Sequence, residues 1–429
     1  MLVLLLKRIT HFEHFNDMQV RIFFLFLVLL VNSFLNAQKI PSEKPKLIVA
    51  IVIDQMRYDF IYKYWDKFGN NDFKRLVNEG TICKNAKYNY LLTQSLPGFA
   101  TIMTGAYPQM HGIIADEWYD PFAAKNVHAT KDDLYSCVGC SNQIDKHSPS
   151  KILASTFSDE LKLSNSNKSK VISVSLLAPN AIMCAGHLAN AAYWMVNTSG
   201  DWVTSSAYTK VLPAWVVDFN KKKFADIYLE ETWRPLLSDS AYNESFPYSN
   251  KYEVGIKGKI TFPYDLKILG KRTDGRRDYN ILAYTPFGNE ITKDFAISAI
   301  VNENLGKDDY TDFLCINFCV TEIIGSKFGI TSKEIEDIYL RLDRGIEHFL
   351  SFIDSYVGKG NTLVFLTSSS GASYPTKVMK EWNMPTGVFN QYQALILLKS
   401  YLNVLYGNGD WIKFWKNQQI FINRPLVQD

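Results

Sequence analysis

The chain is 429 residues long, 47% hydrophobic and 21% charged, with a formal net charge of +3. Length and balance are those of a folded protein with one large core or two smaller ones, and they exclude a disordered chain. A charge so close to neutral, with no basic stripe interleaved with aromatics, argues against nucleic acid as a partner.

The N-terminus reads as a targeting segment. Met18-Gln19-Val20-Arg21 supplies a positive start, Ile22 to Val31 an unbroken apolar run, and Leu35-Asn36-Ala37 a cleavage site before Gln38. The run is short for a membrane span, so residues 1–37 are expected to be removed as a secretory signal, with 1–17 a misassigned start. An uncleaved anchor is the alternative. The mature protein is then expected to be periplasmic or secreted, with no membrane partner.

Leu47 to Ile53 is a β-branched run of the kind found in a strand covered on both faces, and it ends at Asp54. Asp72 to Glu79 reads as a short capped helix closed by Gly80. At Ser95-Leu96-Pro97-Gly98 a helix is expected to open with Ser95 as its N-cap, running through apolar residues until Gly105 stops it. A hydroxyl there faces unpaired backbone N–H groups and the positive end of the helix dipole, which suits an anionic phosphoryl group or, equally, an ordinary cap.

Lys170 to Leu176, Phe313 to Val320 and Thr362 to Thr367 are further apolar strands. Thr331-Ser332-Lys333-Glu334 reads as a capping box opening a helix with Ile335, Ile338, Leu342, Ile346, Phe349 and Ile353 on one face. Strands alternating with helices predict an α/β protein: a large, mostly parallel central sheet flanked by helices. Residues 206–295 break that rhythm and read as an inserted cap region. The organisation expected is a core over 44–205 and 296–375, the insertion between them, and a truncated cap segment over 376–429. In such sheets chemistry gathers at the C-terminal ends of strands, where Asp54, Glu322 and Ser369-Ser370 all fall.

Six cysteines are present. In an exported chain a disulfide is permitted, and Cys137 and Cys140 are the nearest pair. A zinc site there would need a second pair or histidines at ligand spacing, and none lies nearby. Cys315 and Cys319, within an apolar run, read as buried free thiols.

Several blocks together closely resemble the alkaline phosphatase superfamily, in its nucleotide pyrophosphatase/phosphodiesterase branch and the phosphate-irrepressible bacterial alkaline phosphatases. They are Ile51-Val52-Ile53-Asp54-Gln55-Met56-Arg57-Tyr58-Asp59, Thr104-Gly105-Ala106-Tyr107-Pro108, His111-Gly112-Ile113-Ile114 and Gly186-His187-Leu188-Ala189-Asn190-Ala191-Ala192-Tyr193-Trp194. The resemblance implies two zinc ions and a Thr or Ser nucleophile. It places Ser95 at the nucleophile and Asp54 at a zinc ligand.

The remaining positions depart from the pattern. Glu322 stands at a ligand position where it can still ligate, while Ser326, Ser369 and Ser370 stand where ligands are expected and are poor zinc donors. Asp116 takes the place of an Asn that donates to a phosphate oxygen. Leu177 and Pro179 fall where a Lys and an Arg clamp the phosphoryl group. The segment expected to carry the last zinc-ligating His lies beyond Asp429. His111 and His187 read as hydrogen-bonded core or turn histidines.

These departures imply a catalytically degenerate member, a pseudoenzyme with a vestigial pocket for phosphate or a phosphate ester, holding no metal or one weakly held divalent ion. The alternative is an active metal-dependent hydrolase of phosphate mono- or diesters that uses Ser95, its single metal held by Asp54, Glu322 and Asp116. A relic that folds marginally is a third reading.

Overall fold

Leu47–Ile53 is the strand around which the rest is arranged, and all seven of its residues are buried. A β-branched run of this kind is stable only where both faces are covered. It pairs in parallel with Asp312–Phe318 on one side and Thr362–Thr367 on the other. Val171–Val174 and Ala191–Met195 extend the sheet in parallel. Trp202–Ser205 and Cys137–Val138 finish that edge antiparallel. The result, in a computed structural model describing residues 44–141, 145–246 and 253–428, is a seven-stranded, mostly parallel sheet. The signal segment expected over residues 1–37 lies outside the described residues.

Alternate residues of the central strand feed two separate cores, as the two-residue period of a strand requires. Leu47, Val49, Ile51 and Ile53 pack with Phe295 and Ala299 of the Pro286–Asn302 helix and with Ile338, Leu342 and Ile346 of the Lys333–Ile353 helix. Ile48, Ala50 and Val52 face Phe99 and Met103 of the Ser95–Thr104 helix and Ile182 of the Ala178–Ala185 helix. Between residues 206 and 295 lie the helices Ala214–Lys221 and Phe224–Tyr228, a pairing of Thr232–Trp233 with Tyr264–Asp265, and the start of the Pro286–Asn302 helix. Their buried Val216, Phe219 and Trp233 join the first of the two cores. Residues 376–422 hold the helices Thr376–Glu381 and Gln391–Tyr406 and a hairpin of Ile412–Lys416 with Gln419–Ile422. Among the described residues no helix is long and apolar enough to cross a membrane.

Two caps differ from expectation. The long helix opens at Ser332, whose side chain accepts from the Ile335 amide, and not at Thr331. With the cap at Ser332 the third helical residue is Ile335, so Glu334 falls outside the box position, and its carboxylate accepts from the Tyr264 hydroxyl at 2.6 Å. The Ser95–Thr104 helix has Gln94 as its N-cap, and Ser95 is its first helical residue. Gly105 ends it as expected, in the left-handed region at φ +65°. Cys137 and Cys140 form a disulfide, and Cys315 and Cys319 are free and buried.

Asp72, the N-cap of Phe73–Glu79, lies buried beside Asp343 of the long helix. Burial, with a hydrogen bond to Asp72, pushes the Asp343 carboxyl up to about 8. The Gly69 amide donates to Asp343 at 2.9 Å. An unfolded aspartate releases its proton near pH 4, so between about pH 4 and 8 the folded chain holds the extra proton. Stability on this account falls as pH rises through that window. Urea unfolding midpoints measured across it are expected to drop for the wild type and to stay flatter for Asp343→Asn.

Candidate functional site

The C-terminal ends of the parallel strands converge on Asp54, which is fully buried. Its amide continues the ladder by donating to the Phe318 carbonyl at 3.1 Å. Both carboxylate oxygens accept hydrogen bonds from neutral side chains. Oδ1 receives Asn317 Nδ2 at 2.9 Å and Ser369 Oγ at 2.8 Å, and Oδ2 receives Asn180 Nδ2 at 2.8 Å. The three donors come from the Asp312–Phe318 strand, the loop after the Thr362–Thr367 edge strand, and the Ala178–Ala185 helix that follows Val171–Val174. Asn317 knits them together: its Oδ1 accepts from Ser175 Oγ at 2.7 Å and Asn180 Nδ2 at 3.0 Å, and its Nδ2 also reaches the Val52 carbonyl.

Ser95 is buried at the start of its helix, and its hydroxyl donates to Glu322 Oε2 at 2.8 Å. This is why it does not cap the helix. Glu322 sits in the first turn of Val320–Phe328, where the helix dipole favours a negative charge. Asp116 lies on the other side, its Oδ1 accepting the Leu96 amide at 2.9 Å. Ser95 is pressed into place by a close backbone approach one turn on, because a Cβ on Gly98 would lie 1.7 Å from the Ser369 carbonyl oxygen.

The three carboxylates are electrostatically linked. Burial raises Asp54 well above the usual carboxylate range, and the charges of Glu322 and Asp116 raise it further. Burial also raises Glu322 and Asp116. Asp116 adds to the rise at Glu322, the Ser95 hydroxyl opposes it, and the Leu96 amide opposes the rise at Asp116. The largest influences on the three groups are burial, neighbouring carboxylates and neutral hydrogen-bond donors.

Other positions singled out in the sequence lie apart from this cluster or play other parts. Ser369 is brought in as a donor to Asp54, whereas Ser370 lines a groove of about 1280 Å³ with Arg57, Thr101 and Ser368. Ser326 is exposed and lines a recess of about 440 Å³ with Gln55 and Tyr374. Leu177 packs against the core at the N-cap of Ala178–Ala185, and Pro179 lies in that helix's first turn, so neither offers a polar group to a ligand. His111 is buried against the Thr101 hydroxyl and the Ile113 amide, and burial pushes it down to about 4. His187 bridges Asp159 and the Ile152 carbonyl, and its bond to Asp159 raises it. Asn180, Asn317 and Gln94 were not anticipated. Their only sequence signal is an amide side chain at a strand or helix end.

Replacing Asn317 by Ala removes one donor from Asp54 and the acceptor of the Ser175 hydroxyl, and leaves Asn180 with Asp54 alone. It is expected to cost about 3 kcal/mol in chemical denaturation. Gly98→Ala is expected to cost about as much, since backbone must move on both sides of the contact.

A family model described as type I phosphodiesterase/nucleotide pyrophosphatase matches residues 48–383. A protein named calcium-transporting ATPase from Myroides odoratus is 40% identical over 390 residues, which is 90% of this chain and 70% of that protein. Alkaline phosphatase PafA from Elizabethkingia meningoseptica is 38% identical over 410 residues, 94% of this chain and 73% of its own length. The crystal structure of wild-type PafA superposes with a TM-score of 0.84 at 36% identity, over 91% of this chain and 74% of that one.

Proposed function

The chain belongs to the type I phosphodiesterase/nucleotide pyrophosphatase family, with alkaline phosphatases among its relatives, and we propose that it is an exported member that has lost the family's metal chemistry. The observation that carries this reading is the state of Asp54. A zinc ion at this position would have to displace neutral donors that already hold both carboxylate oxygens.

The donor set points the same way. The side chains around Ser95 are carboxylates, hydroxyls and amides, without the imidazoles that zinc prefers. Among the described residues, no group of three or more His, Cys, Asp or Glu side chains is placed to hold a metal ion. The residues present therefore do not fit a two-zinc centre. Without a metal, a serine hydroxyl bonded to a carboxylate is a weak nucleophile, and Glu322 and Asp116 add negative charge where a phosphoryl group would develop more.

Export is supported by the apolar segment at residues 22–31 and by the Cys137–Cys140 disulfide, which suits an oxidising compartment. The relatives' names indicate phosphate esters as the ligand class the pocket would have served before that loss. A second reading, a residual hydrolase acting through Ser95, draws support from the convergence of Ser95, Glu322 and Asp116.

The wild type and Ser95→Ala are to be assayed on p-nitrophenyl phosphate and bis-p-nitrophenyl phosphate with zinc, magnesium or manganese, with bound metal quantified in parallel. The expected result is no retained metal and the same background rate in both proteins. Turnover that needs both a metal ion and Ser95 would overturn the proposal and establish the second reading.

A further inference from the structure

The first turn of the Ser95–Thr104 helix is where the pocket's backbone donors lie, and its amides are largely spent. Pro97 has none. The Gly98 amide donates to the Gln94 carbonyl at 3.2 Å, and the Leu96 amide donates to Asp116 Oδ1 at 2.9 Å. Of the four first-turn positions, at most the Ser95 amide is left to meet a ligand.

Asp116 does not reach this turn by chance of a loose side chain. Its own amide donates to Gln94 Oε1 at 2.8 Å, and its carbonyl accepts the Ala129 amide at 2.9 Å. Gln94 is the N-cap of the same helix, so cap and carboxylate form a reciprocal pair: the cap side chain holds the Asp116 backbone while the Asp116 side chain holds the helix. Burial of Asp116 and its backbone partners fix the carboxylate against the positive end of the dipole, beside the Ser95 hydroxyl.

We propose that the Asp116 carboxylate is a tethered anion: it takes the first-turn amide beside Ser95 that an incoming phosphoryl group would use, and so closes the pocket to phosphate. The proposal rests on the reading of this pocket as a former phosphoryl site, and it specifies what keeps the site shut. A free phosphate would have to displace a charged hydrogen bond and then lie beside Glu322 and Asp116 with no cation between them. The helix dipole cannot serve both anions.

The test is calorimetric titration of inorganic phosphate into the full chain at about pH 8, with a chelator present and ionic strength held constant. Wild type, Asp116→Asn and Asp116→Ala are compared. The neutral amide keeps the size of the side chain and can donate to a phosphate oxygen, while the alanine frees the Leu96 amide outright. Phosphate is expected to bind each variant at least about tenfold more tightly than the wild type. If Asp116→Ala does not melt cooperatively, Asp116→Asn decides alone. Millimolar or tighter binding by the wild type, or no gain in the variants, would overturn the proposal. Neither result depends on turnover, so the loss of metal chemistry is judged separately by the hydrolysis assay.

Discussion

A carboxylate removed from water at the end of the central strand sets the terms for everything around it. Asp54 is fully buried, and an unpartnered charge there would cost several kcal/mol. The fold meets that demand with Asn180, Asn317 and Ser369, which arrive from three different elements. Satisfying one side chain thus ties three strand ends together. The Ser369 hydroxyl gives the network a further property, because it can donate to the ionised carboxylate or turn and accept from the protonated one. Burial raises Asp54, and this rotor lets the cluster accommodate either state without moving a strand.

Helix dipoles supply positive potential to two of the carboxylates in this cluster. Glu322 lies in the first turn of its own helix, and Asp116 caps an amide in the first turn of the Ser95 helix. Each negative group therefore has a partial positive charge of roughly half a unit close by. That is enough to seat a carboxylate that is already covalently tethered. It falls well short of the charge that two divalent ions bring to a phosphoryl transfer, so a site can be stable on these terms without being catalytic.

The sheet was legible because its strands are β-branched runs whose covering on both faces follows from composition, and Asp54 and Glu322 stand at the strand ends where the topology predicts chemistry. What escaped the sequence was decided by partners far away in the chain. Ser95 reads as a cap until Glu322, 227 residues on, takes its hydroxyl. Thr331 with Glu334 reads as a capping box, yet Ser332 caps the helix and Glu334 pairs with the Tyr264 hydroxyl, 70 residues away. Asn180 and Asn317 carry no spacing signal at all, since an amide that satisfies a buried acid needs a direction in space and not a motif. Leu177, read from the resemblance as a clamp position, packs against the core at the start of its helix.

On the proposal that metal chemistry has been lost, these same bonds make it hard to restore one residue at a time. A carboxylate in place of Ser369 would stand at hydrogen-bond distance from Asp54 Oδ1, adding a fourth negative group to a cluster that already raises its own members' proton affinity. Without a metal ion to absorb the charge, that change destabilises the strand ends it was meant to equip. An imidazole at Ser326 would stand one helical turn from Glu322, giving two donors where a zinc ion takes four. Removing Asp116 by itself would free one amide without supplying the positive charge a phosphoryl group needs for transfer. Ligands and ions stabilise one another only together, so the arrangement of neutral donors around Asp54 is a local minimum: each single step toward a metal site raises the energy of the fold before any ion can bind.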